Sequence, residues 1–204
     1  MQYKRRHPYL TAFFNALRFF GVLLLTYLLH TCLMPEIRFF GVTPSLILAV
    51  TAVITVSFER TKTIWAGAFF GILIETMQPT IPLLSLLLYP IAAILGLLLF
   101  ADKSMQRLEY ERGLGKPGRN VAFWIRIPAC ALVDTAVYEV INLTYLYLRG
   151  GELTASSVFR GLADIVMTAM LAAVLMVPLR RFFGIRTAPD PDRNVKPVPY
   201  RGRT

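Results

Sequence analysis

Glu75, Arg126, Asp134, Glu139 and Asp164 all stand inside apolar runs of this chain. A charge in such a run is costly. It amounts to about 2.5–3.5 kcal/mol for Asp, Lys or Arg at a bilayer centre and less near its surface, so each such residue is a functional hypothesis with a partner to be found. Carboxylates placed this way can hold a polar solute or the cationic group of a partner; they can also simply join helices. Thr135, Glu139 and Asn142 share one helix face, while Asp134, Tyr138 and Tyr145 share another. Asp134 and Glu139 are about 140° apart around that axis and need not act together. No HExxH, Walker loop, nucleophile elbow or paired-cysteine motif accompanies them, so the expectation is no catalytic residue, no metal and no cofactor. Cys32 and Cys130 lie in separate apolar runs and read as small buried hydrophobes. His7 sits in a basic flank. His30 lies near the end of the first apolar run, where hydrogen-bonded packing is its simplest role.

The elements that must position these residues follow from composition. Of 204 residues, 55% are hydrophobic and 17% charged, with a mean hydropathy of +0.54. A soluble domain carries about 25% charged residues. Here the apolar residues fall in long blocks, which indicates a polytopic, all-α integral membrane protein with one membrane domain over residues 1–186. Six spans can be drawn, at about 16–34, 44–58, 63–77, 81–100, 121–148 and 160–183. Each is bounded by prolines or charged turns, and the second and third are short enough to suggest a tilted or re-entrant element. Residues 3–14 suggest an interfacial helix, and residues 187–204, rich in proline and arginine, a disordered basic cytoplasmic tail. The first apolar run is too long for a signal peptide and lacks a cleavage site after it, so it reads as an uncleaved helix.

The formal net charge is +10, and the basic residues cluster beside apolar runs. That placement favours topology signals and contacts with anionic lipids over nucleic acid. Lys4, Arg5 and Arg6 precede the first span; Lys103, Arg107, Arg112, Lys116 and Arg119 follow the fourth; Arg180, Arg181 and Arg186 follow the sixth. The positive-inside rule then puts both termini in the cytoplasm. It also brings Glu75, Glu139 and Asp164 to similar heights toward the outer face. Helix-to-helix glue and interfacial snorkelling, with Arg160 or His30 as counter-group, is the simpler reading, because acids near the outer interface cost little. The functional reading is a polar pocket open to the outside, outlined by the three acids with Asn142.

Small residues mark where helices can close up. Gly67, Gly71 and Glu75 recur every four residues on one face of the third span, and Ala92 and Gly96 form a second small face in the fourth. Pro90 should kink that fourth helix. Pro44-Ser45-Leu46 opens the second helix, and Pro178-Leu179-Arg180-Arg181 closes the last.

In their order, Pro44-Ser45-Leu46, a short basic turn, Gly67, Phe69, Gly71 and Glu75, then Tyr89 and Gly96, resemble the rod shape-determining protein MreD family. The likeness covers residues 16–103; the C-terminal half follows by hydropathy and by its closing motif. Ser45 and Glu75 stand where the family usually has aspartate, and the loop 102–120 and the tail after Arg186 are longer than usual. The resemblance implies a non-enzymatic scaffold in the bacterial cytoplasmic membrane, part of the cell-elongation and peptidoglycan-synthesis machinery. It would bind MreC and help couple MreB to a RodA-type polymerase and a transpeptidase. It also implies a fold similar to the substrate-binding subunits of energy-coupling-factor transporters. Binding of a vitamin or other small solute is therefore the alternative function. Pro44, Gly67, Gly71 and Gly96 are the expected helix-packing or partner-binding positions. Glu75, Glu139, Asn142 and Asp164 are the expected pocket.

Overall fold

The computed structural model describes residues 8–37, 42–77, 83–101, 110, 113–114, 122–152 and 154–184. Among them the chain is all-helical, with six bounded α-helices and no strand. These are α1 (Pro8–Cys32), α2 (Leu46–Ser57), α3 (Arg60–Met77), α4 (Leu84–Phe100), α5 (Phe123–Leu148) and α6 (Ala155–Phe182), with a 3₁₀ turn at Met34–Glu36 after α1. Among the described residues, three stretches are long and apolar enough to cross a membrane: Phe13–Glu36, Phe123–Leu148 and Ala155–Phe182. α2 and α4 are shorter apolar helices.

Helices occupy all six stretches expected from the sequence, with shifted ends. α1 runs unbroken from Pro8, so the expected interfacial helix over 3–14 is, in its described part, the first turns of one long helix. α6 begins at Ala155, earlier than expected. The tail 187–204 and the basic residues Lys4, Arg5, Arg6, Lys103, Arg107, Arg112, Lys116 and Arg119 lie outside the described residues.

α2 is the hub. At 12 residues it is about 18 Å long, short of the roughly 30 Å hydrocarbon core. Leu46 through Val56 are all buried. It packs against each of the other five helices. Pro44 cannot donate a backbone hydrogen bond, so it suits a helix start, and the Ser45 hydroxyl caps α2 by accepting from the Leu48 amide at 3.4 Å. Thr51 and Thr55 survive in this apolar surround because their hydroxyls return to the Ile47 and Thr51 carbonyls at 2.8 and 2.9 Å.

Around that hub the core divides in two. Ile47, Leu48, Val50 and Ile54 pack with Phe19, Leu23 and Tyr27 of α1, Phe70 of α3 and Tyr89 of α4. Ala49, Ala52, Val53 and Val56 pack with Ile127, Cys130 and Ala131 of α5 and Ala169 and Ala172 of α6. The outer faces are apolar. On α6, Leu162, Val166, Met170 and Val174 are exposed, while Gly161, Asp164, Thr168 and Ala172 turn inward. Small and polar side chains inside, with large apolar ones outside, reverse the order of a soluble helix and are compatible with a membrane protein.

Close approach is carried by glycine. A Cβ on Gly67 would lie 2.9 Å from the Ala93 Cβ and 3.1 Å from the Pro90 Cα; one on Gly71 would lie 3.0 Å from the Ser85 carbonyl oxygen. The four-residue glycine strip of α3 is therefore spent on α4, within this chain. Gly96 of α4 plays the same part toward α5.

Candidate functional site

At the end of the bundle where α2 begins, a polar cleft of about 440 Å³ opens between the end of α1, the loop before α2, the end of α5 and the start of α6. Glu139, Asn142 and Asp164 line it together, with His30, Arg160, Tyr89 and Tyr138. Those three were expected in one pocket, and the fold brings them together.

Asp164 is 8% exposed and is built into the bundle. The Thr168 hydroxyl, one turn later on the same face of α6, donates to its Oδ1 at 3.0 Å. The same hydroxyl accepts from the Ser45 amide at 2.9 Å. This two-bond relay ties the start of α2 to the acid of α6 and leaves no polar atom of Thr168 idle, although Thr168 is fully buried. The Glu139 carboxyl enters the same cleft from α5, on the side that faces Asp164 of α6. Gly161 makes room for it, since a Cβ there would meet Glu139 Oε2 at 3.2 Å. Tyr89 and Tyr138 wall the cleft with rings 5.7 Å apart and tilted by 50°. A facing carboxyl pair beside an amide and phenol rings can seat a cationic or hydrogen-bonding group.

Glu75 does not join this cleft, so its expected place beside Glu139 and Asp164 is corrected. α3 lies against α4, and Glu75 Oε1 accepts from the Leu83 amide at 2.6 Å. Leu83 has φ of 65°, a left-handed conformation that costs a branched side chain energy. The carboxylate of Glu75 therefore anchors a strained turn at the start of α4. Its Oε2 is buried without a hydrogen-bond partner.

Asp134 occupies a third environment. It is fully buried between α5 and α4. Its Oδ2 lies 3.5 Å from Cys130 Sγ, which donates to it, while Oδ1 has no hydrogen-bond partner. Gly96 faces it so closely that a Cβ would come within 2.5 Å of Oδ1. Two turns earlier on that face, the buried Arg126 donates to the Phe100 carbonyl. The separation of Asp134 from Glu139 around α5 is thus realised: Asp134 meets α4, and Glu139 meets α6.

Cys130 is buried as expected, whereas Cys32 is exposed on α1, and neither forms a disulfide. His30 is half-buried, with Nδ1 lacking a hydrogen-bond partner. Among the described residues, no group of three or more His, Cys, Asp or Glu side chains is placed to hold a metal ion. Sequence reasoning missed Ser45, Tyr89 and Gly161 as cleft residues, and Thr168 as the buried support behind Asp164. The spacing of Asp164 and Thr168, four apart on one helix, was the legible signal. The Ser45 contact spans 123 positions and left none. No known protein family, curated protein or solved structure matches the chain.

Proposed function

We propose that this protein is a non-enzymatic scaffold of the MreD kind, spanning the bacterial cytoplasmic membrane six times with both termini inside. One observation carries the reading. The positions that resemble the MreD pattern serve as helix joints: Ser45 caps the buried hub, Gly67 and Gly71 close α3 onto α4, and Gly96 closes α4 onto α5. A sequence pattern devoted to holding a bundle rigid suits a protein whose work is to present surfaces. The partner would be an MreC-like membrane protein, with MreB, a RodA-type polymerase and a transpeptidase linked through it. The apolar outer faces would meet partner spans, and the basic loop 102–120 would meet anionic lipid or cytoplasmic partners. Co-purification with the MreC-like protein from detergent-solubilised membranes is the test, together with cell width on depletion. Stable association and widened cells are expected. Absence of both would overturn the scaffold.

A second reading is favoured by the polar cleft itself. Its volume of about 440 Å³ falls within the roughly 300–1,000 Å³ typical of small-molecule sites. On this reading the protein is a substrate-binding membrane subunit, similar in fold to those of energy-coupling-factor transporters, and its ligand sits against Glu139, Asn142 and Asp164. Mass spectrometry of the purified protein would find a retained vitamin-sized molecule, lost from Asp164→Asn. An empty wild-type protein would exclude it.

A further inference from the structure

The opposite end of the bundle carries a second cavity, of about 640 Å³, between the first half of α1, the start of α3 and the end of α6. Its floor is an aromatic triad. Phe19 and Phe58 meet edge to face at 5.8 Å, Phe58 and Phe183 at 4.8 Å, and Phe19 and Phe183 at 6.4 Å. Trp65 and Phe182 form the walls and are 61% and 60% exposed, so the groove is open along its side. At the rim stand Arg18 and Lys62. Lys62 Nζ lies 5.0 Å from the Phe58 ring centroid, which holds the ammonium over the aromatic floor. Among the described residues that line the groove there is no acid. Arg60 opens α3 and Arg181 ends α6 at this same end of the bundle, opposed among the neighbouring described residues by Glu59.

We propose that this groove is a specific site for one anionic phospholipid, its phosphate held by Arg18 and Lys62 and an acyl chain lying on Phe19, Phe58 and Phe183. Two features select this occupant. The charge is one-sided, which matches an anionic headgroup and opposes a cationic or zwitterionic one. The apolar floor runs directly beneath that charge, so headgroup and chain are satisfied together, and on the membrane reading proposed above the open side beside Trp65 and Phe182 faces lipid. An amphipathic occupant of opposite charge is what such a surface fits. Nothing in this assignment depends on the polar cleft, which lies at the other end of α2.

The test uses the full chain with Trp124→Phe, leaving Trp65 as the sole tryptophan reporter, in vesicles with brominated phosphatidylglycerol or brominated phosphatidylcholine. Quenching of Trp65 is expected to report a preference of roughly fivefold or more for phosphatidylglycerol, the scale of one to two basic residues near an anionic lipid. Arg18→Gln with Lys62→Gln should bring the ratio to about one, while Arg18→Lys with Lys62→Arg should retain it. Equal quenching by both lipids in the unsubstituted groove overturns the site, whatever the fate of the variants. Weak quenching by both overturns it too, because the groove is then filled by protein, either residues 1–7 of this chain or a partner. A preference that survives the double glutamine variant with unchanged helical content would show that other basic residues create it, and likewise refutes the assignment.

Discussion

Single atoms decide much of this molecule. Gly96 is the clearest case, because a methyl group there must displace the Asp134 carboxylate. Gly96→Ala should lower stability by about 1–3 kcal/mol, the usual cost of overpacking. Gly71→Ala should cost a similar amount, since the obstacle is the Ser85 backbone carbonyl and cannot rotate away. Gly21→Ala is the control: nothing lies within 4 Å of its added Cβ. Thermal unfolding of the detergent-solubilised protein should rank them with Gly21→Ala nearest to wild type. Thr168→Val preserves shape but removes an acceptor from the Ser45 amide and a donor to Asp164. Leaving buried groups unpaired costs about 1–3 kcal/mol. Thr144→Val, on the exposed end of α5, should change stability by less than about 0.5 kcal/mol. A Thr168 variant as stable as wild type would show that the relay does not hold α2 to α6.

At the scale of elements, a short helix is stabilised by what surrounds it. A stretch of twelve residues makes a poor isolated helix, yet α2 is the most buried element because five others pack on it. The start of α4 is held differently. One carboxylate accepts from the Leu83 amide while Leu83 sits in a left-handed conformation. Glu75→Ala should release the α4 start and speed hydrogen exchange of the Leu83 amide by at least tenfold. Glu75→Gln keeps an acceptor oxygen and should retain most of the protection. Equal exchange in all three proteins would remove Glu75 from this role. The glutamate was legible in the sequence as an expensive group needing a partner. Its partner was not, because the Leu83 amide lies eight positions along the chain, past the end of α3, in a pairing that hydropathy does not specify.

At the scale of the whole molecule, the proposed topology makes a directional claim. Cys32 is exposed and is the last residue of α1, and Cys130 is fully buried. With both termini in the cytoplasm, Cys32 falls at the outer surface. A membrane-impermeant maleimide added to intact spheroplasts should label Cys32 and leave Cys130 unmodified. Labelling only after the cells are opened would reverse the orientation, moving the polar cleft to the cytoplasm and the aromatic groove outside.

What the sequence determined by itself were the local quantities. Apolar run length, the prolines at 35, 44 and 79, and the charged turns placed helices to within a few residues at most ends. Helical spacing put Asp134 and Glu139 on different faces, and four-residue spacing marked the glycines as contact points. These follow from backbone geometry and need only neighbours in the chain. Tertiary structure decided which surfaces those faces meet. It gave the α3 glycines to α4, set Glu75 on a turn while Glu139 and Asp164 share a cleft, and drew Phe19, Phe58 and Phe183 into one floor. Such pairings are set by packing a short buried helix among five others. That choice depends on the shape and volume of side chains more than a hundred positions apart, which no local pattern carries.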